Sequence, residues 1–159
     1  MSQEQYTQVA GNLVTIPGRM SNSRLVIKGR LPGLNEYTEE NRKHAQKGAA
    51  MKRQAQELVM WHILSQIRDL RFTKPVFLMY TYYEPNRKRD HDNVSSFAHK
   101  VIQDALVQCG VLQGDGWLHV TGNLDLFEVD KNNPRIVVEF IEQEVAPACK
   151  KQPGKNSKK

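Results

Sequence analysis

The chain has 159 residues, 39% of them apolar, and a formal net charge of +6. That length suits one domain with an ordinary core, and no apolar run reaches the roughly 20 residues of a membrane helix. The first twenty-odd residues are polar and lack the pattern of a secretory signal, and Cys109 and Cys149 have neither disulfide nor metal-ligand spacing, so an intracellular, reduced setting is expected.

The charge is unevenly spread. The stretch "CKKQPGKNSKK" carries Lys150, Lys151, Lys155, Lys158 and Lys159 and no acid, which leaves the body near neutral. Residues 146–159 therefore read as a disordered basic arm, either solubilising or nonspecifically drawn to nucleic acid. Residues 1–22 read as a flexible N-terminal segment, and residues 23–145 as the folded domain.

"SRLVIKGRLPG" (23–33) predicts a strand ending in a Pro-Gly turn. "LNEYTEENRKHAQKG" follows, polar and basic, and reads as a mobile loop or short helix. From Gly48 to about Arg68 the residues are good helix formers, with Leu58, Trp61, Ile63, Leu64 and Ile67 on a broad apolar face. "PVFLMYTYYEP" predicts a strand closed by Pro85, in which Tyr80, Tyr82 and Tyr83 are sheet residues rather than base-stacking platforms. Val94, Phe97, Ala98, Val101, Ile102, Ala105, Leu106 and Cys109 then trace the apolar stripe of a second helix. Asn93 or Asp92 is suited to cap its start and Gly110 its end. "WLHVTGNLDLFEVD" and "PRIVVEFIE" predict two strands, antiparallel across the turn "DKNNP". The expected fold is α+β, in the order β-α-β-α-β-β: a mixed four-stranded sheet with two helices on one face.

The acids around the second helix pose the functional question. Asp90 and Asp92 follow directly on Arg87, Lys88 and Arg89. In an extended segment, carboxylates two residues apart share a side, roughly 6–7 Å apart, and suit a hard cation such as Mg²⁺; as a bare pair they also suit a solvated turn or cap. Ser96, Lys100 and Asp104 lie at four-residue steps along the polar side of the helix, where Lys100 and Asp104 equally suit a surface ion pair. Asp115, between Gly114 and Gly116, sits in a turn entering the next strand. If that turn lies beside the strand end, Asp90, Asp92 and Asp115 converge with Lys100. Such a set suits phosphodiester hydrolysis, the metal neutralising phosphate and activating water, the lysine meeting transition-state charge. Arg87, Lys88 and Arg89 would grip flanking phosphates. His91, His99 and His119 fit no zinc spacing.

"RDHDN", then a lysine four residues before "DAL", then "GVLQGDGW", resembles the RusA family of Holliday-junction resolvases, common in phages and prophages; "LPGLNEY" resembles that family's N-terminal loop. The resemblance covers roughly residues 24–142. It implies a Mg²⁺-dependent endonuclease (Mn²⁺ being an alternative metal) that acts as a homodimer on four-way DNA junctions in recombination and repair. It further implies no small-molecule cofactor, no membrane, and a setting in the cytoplasm of a bacterial or phage-infected cell. It assigns catalysis to Asp90, Asp92, Lys100 and Asp115, metal binding to the three aspartates, and a supporting place to Asp104. Apart from the resemblance, Asn35, Tyr37, Arg42, Lys43 and Lys47 read as a loop that either touches DNA or is simply solvated. Two departures stand out: the gap from "DN" to the lysine is about one helical turn longer than in compact bacterial members, and an acidic pair appears here as "GD", leaving only Asp115. The rival expectations are a nuclease for flaps or forks, and a noncatalytic DNA-binding protein on the same fold.

Overall fold

The computed structural model describes residues 5–11 and 13–144. Its elements in chain order are strands β1 (Tyr6–Val9), β2 (Val14–Pro17) and β3 (Arg19–Lys28), helices α1 (Leu34–Lys43) and α2 (Ala45–Gln66), strand β4 (Val76–Glu84), helix α3 (His91–Gln108), and strands β5 (Val120–Val129) and β6 (Arg135–Glu142). The main sheet has the order β3-β6-β4-β5, with β4 and β5 parallel and the other neighbours antiparallel. This is the expected α+β class with a mixed four-stranded sheet.

Three details differ from the sequence reading. The polar stretch after the Pro-Gly turn is a full ten-residue helix, α1, so the described residues form three helices rather than two. Residues read as a flexible segment include the antiparallel pair β1–β2, and β3 begins at Arg19 rather than at Ser23. Finally, β5 and β6 run in opposite directions but are not neighbours, because β6 inserts between β3 and β4. Composition explains the insertion. Ile136, Val137, Val138, Phe140 and Ile141 form a nearly continuous buried run, as a strand covered on both faces requires, whereas β5 has no buried residue and takes the edge.

The helices pack on one face of the sheet. Ala98, Val101, Ile102, Ala105 and Leu106 of α3, with Val59 and Ile63 of α2, meet Leu25, Leu78, Tyr80, Tyr82, Val138 and Phe140, all of them fully buried. Each such side chain contributes about 1.5–3 kcal/mol for the larger aliphatics and aromatics. On the opposite face, Val9 and Ile16 of the β1–β2 pair cover Met79 and Ile141. Helix α3 ends where the sequence indicates. Gly110 follows the last turn at φ 77°, with its N–H donating to Val107 O and the Val111 N–H to Leu106 O, a two-bond cap that favours glycine. Among the described residues, no helix is long and apolar enough to cross a membrane. The expected basic arm at 146–159 lies outside the described residues.

Candidate active site

The start of α3 organises the site. Asp90, rather than Asp92 or Asn93, is the N-cap: its backbone is extended and its Oδ1 accepts from the Asn93 N–H at 2.8 Å. A carboxylate there satisfies a helix-end donor and faces the positive end of the helix dipole. Asp92 therefore lies inside the first turn, exposed to solvent, and not on an extended segment beside Asp90.

Asn93 has a second task. Its Oδ1 accepts from the Asn35 N–H at 2.9 Å, in the first turn of α1, whose own N-cap, Gly33, has no side chain to serve that end. A Cβ on Gly33 would come within 2.5 Å of Asn93 Oδ1. The glycine of "LPG" and the asparagine of "DHDN" thus fit one another, and α1 is capped from α3. Arg89 fixes the same corner. Its guanidinium donates to both Glu84 oxygens, at 2.7 and 3.1 Å, and to Leu31 O at 3.0 Å, while Arg30 reaches Glu84 at 3.1 Å. The Arg89 and Glu84 side chains are each 11% exposed. Arg89 is thus a buried tie between β4 and the Pro-Gly turn instead of a group open to phosphate. Arg87 and Lys88 remain exposed.

Lys100 and Asp115 do meet. Lys100 Nζ lies 3.0 Å from Asp104 Oδ1 and 3.7 Å from Asp115 Oδ2, and Lys52 of α2 approaches Asp104 Oδ2 at 3.3 Å. The hydrogen bond and charge of Asp104, then the charge of Asp115, raise the Lys100 pKa above its ordinary value, so the ammonium stays charged. The three aspartates do not converge. Eight residues separate Asp92 from Lys100, an axial rise of about 12 Å, and Asp115 has joined the lysine end. Among the described residues no group of three or more His, Cys, Asp or Glu is placed to hold a metal ion.

The residues available for a cation are still of one chemical kind. Asp90 keeps one oxygen beyond its cap and Asp92 is open to solvent. Carboxylate oxygens without thiol or imidazole suit a hard divalent ion, which needs one or two such ligands when water and substrate phosphate complete its shell. In chemical kind such oxygen donors suit Mg²⁺ or Mn²⁺, and the described residues form no closed three-carboxylate cage.

The expected α1 loop divides. Tyr37 packs on Phe97 with ring centroids 4.9 Å apart, and Lys43 pairs with Glu39 at 2.6 Å. Asn35, Arg42 and Lys47 are exposed, the first two lining a shallow depression with Thr38 and Glu39. The histidines are dispersed: His91 stacks on Phe127 at 3.8 Å, His99 Nε2 lies 2.7 Å from Asp125 Oδ1, and the His119 ring lies beside Gly114. Tyr80 and Tyr82 are buried sheet residues; burial, and then the charge of Asp125, raise the Tyr82 pKa.

Sequence reasoning missed Lys52, the His99–Asp125 pair and the two roles of Asn93. The alternation "NLDLF" marks Asp125 as sharing a side with Asn123 and Phe127, and "LPG" before a capless helix signals an outside cap. Lys52 carries no local signal. No protein-family profile matches the chain, and no curated protein matches it significantly.

Proposed function

We propose that the chain is a divalent-cation-dependent endonuclease for branched DNA, with four-way junctions as its substrate and a homodimer as its working form. The observation that carries this reading is Lys100, held cationic between Asp104 and Asp115 on the exposed side of α3 that begins with Asp92. A fixed ammonium there can meet the negative charge that gathers on a phosphodiester in its transition state. Asp90 and Asp92 would hold the cation, which when bound offsets phosphate charge and activates water. Arg87 and Lys88 bind flanking phosphates. Asp104 and Asp115 orient Lys100, and Lys52 steadies Asp104 from α2. A four-way junction offers two equivalent strands, which a two-fold dimer meets with two equivalent sites. The similarity of "RDHDN", Lys100, "DAL" and "GVLQGDGW" to the RusA motif supports the substrate class, and with it a place in recombination and repair in a bacterial or phage-infected cytoplasm.

The test is cleavage of end-labelled four-way junction, flap, fork and linear duplex in Mg²⁺, in Mn²⁺ and in chelator. Paired cuts in opposed junction strands are expected. Preference for flaps or forks would move the substrate to other branched DNA. A second reading, a noncatalytic DNA-binding protein, is favoured by the structural duties of Asp90 and Asp104; it predicts tight junction binding with no cleavage in either metal.

A further inference from the structure

The loop that carries Asp115 ends in two exposed apolar side chains. Trp117 is 95% exposed and Leu118 is 82% exposed. Both are bare although the loop around them is fixed. The His119 and Val120 N–H groups both donate to Gly116 O, His119 O accepts from Val76 N–H at the base of the sheet, and Asp115 reaches Lys100. Other aromatic rings of the fold are engaged: Phe72 with Phe140, Tyr82 with Phe127, and Tyr83 under the Arg135 guanidinium. An indole open on both faces, carried on an anchored turn, is placed to receive another flat ring. Adjacent apolar groups left in water mark an interaction surface.

We infer that Trp117, backed by Leu118, is a stacking platform for a nucleobase exposed at a DNA branch point, set beside the candidate site by the Asp115–Lys100 contact. This rests on the branched-DNA reading above. Lys100, whose side chain is 59% exposed, contacts Asp115 of this loop, so a nucleotide stacked on the indole would have that one ammonium group near its phosphate. An intact duplex offers no free base face along its length, whereas a branch point does. Stacking of this kind tolerates any base, because each has a π face. The platform would therefore select DNA shape rather than sequence.

The sequence has two tryptophans, Trp61 and Trp117. Trp61 is itself exposed on α2, so Trp61→Phe leaves the core intact and makes Trp117 the sole indole reporter. This variant is titrated without divalent cation against a four-way junction and against a linear duplex of the same arm sequence, with tryptophan emission and gel shift read together. The expected result is saturable quenching with the junction and little with the duplex. In the otherwise wild-type chain, Trp117→Ala should weaken junction binding by about 5- to 150-fold, the range of one stacked base. Trp117→Phe should recover most of it, and duplex binding should not change. Equal quenching by duplex and junction, or unchanged emission while the junction is bound, overturns the inference. So does quenching that follows protein concentration without DNA, which would make the indole a contact between two copies of the chain. If the wild-type protein cuts junctions while Trp117 emission stays constant, the platform alone is wrong. If it neither binds nor cuts branched DNA, the functional reading falls and the platform with it.

Discussion

Replacing Arg89 separates the phosphate-binding role read from the sequence from the buried tie seen in the structure. As one of three consecutive basic residues, Arg89 looks like a phosphate ligand; in the structure it makes a two-point contact with Glu84 and a third bond to Leu31 O. Both charged side chains are about nine-tenths covered. Removing one member of a buried pair typically costs about 3–5 kcal/mol, chiefly because the other charge is stranded. Arg30 still reaches Glu84 from the solvent side, so the lower end, about 3 kcal/mol, applies to Arg89→Met. For a chain of this size that corresponds to a fall in Tm of about 6–12 °C, or about 1.5 M in urea midpoint at an m-value of about 2 kcal/mol/M. Urea unfolding followed by circular dichroism measures it. Glu84→Gln combined with Arg89→Met should recover part of the loss, since no buried charge then lacks a partner. A midpoint within about 0.2 M of wild type, together with weakened DNA binding, would refute the buried-tie assignment and return Arg89 to the DNA surface.

Three further outcomes are expected. Asn93→Ala removes the cap of α1 and should cost about 1 kcal/mol; Gly33→Ala, which drives a methyl into Asn93 Oδ1, should cost at least as much, both read by urea midpoint. Burial, and then the charge of Lys28, lower the His62 pKa, and its Nδ1 lies 3.2 Å from the Gln66 amide nitrogen, which needs a neutral ring to accept. The unfolded chain therefore binds the proton more readily, so stability is complete above pH of about 6.5 and declines as pH falls through the lowered folded value; His62→Gln should flatten that slope in Tm measured against pH. Junction affinity should fall steeply with salt, and Arg87→Ala and Lys88→Ala should each reduce the log–log slope by about 0.9 with stability unchanged, measured by fluorescence anisotropy at several salt concentrations.

The buried stripe of α3, its glycine stop and the aromatic strand β4 were legible because burial imposes a period that sequence records directly. The place of β6 was legible in principle from its unbroken apolar run, but adjacency along the chain suggested a hairpin with β5. Helix α1 was harder to recognise: it buries no residue, and its N-cap is a glycine completed by Asn93, nearly sixty residues away. The same long-range dependence separates the candidate site from its motif. Spacing brought Lys100 onto the side of α3 that starts with Asp92, but not the shift of Asp115 toward the lysine, which depends on how a loop folds back along the helix. Arg89 shows the complementary limit, because a run of like charges does not record which member turns inward to an acid on a neighbouring strand.

The central claim is that the carboxylates at the start of α3 act in metal-dependent DNA cleavage, and Asp92→Asn tests it most directly. Asp92 is exposed in the first turn and is not the cap, so the amide should leave the fold intact. It removes a charge needed to hold a divalent cation. Cleavage of a four-way junction in Mg²⁺ and junction binding in chelator are measured for the wild-type and variant proteins, with Lys100→Ala alongside. The account predicts wild-type cleavage, a loss of orders of magnitude in both variants, and binding that persists in each. Cleavage at the wild-type rate by a folded Asp92→Asn protein would contradict it.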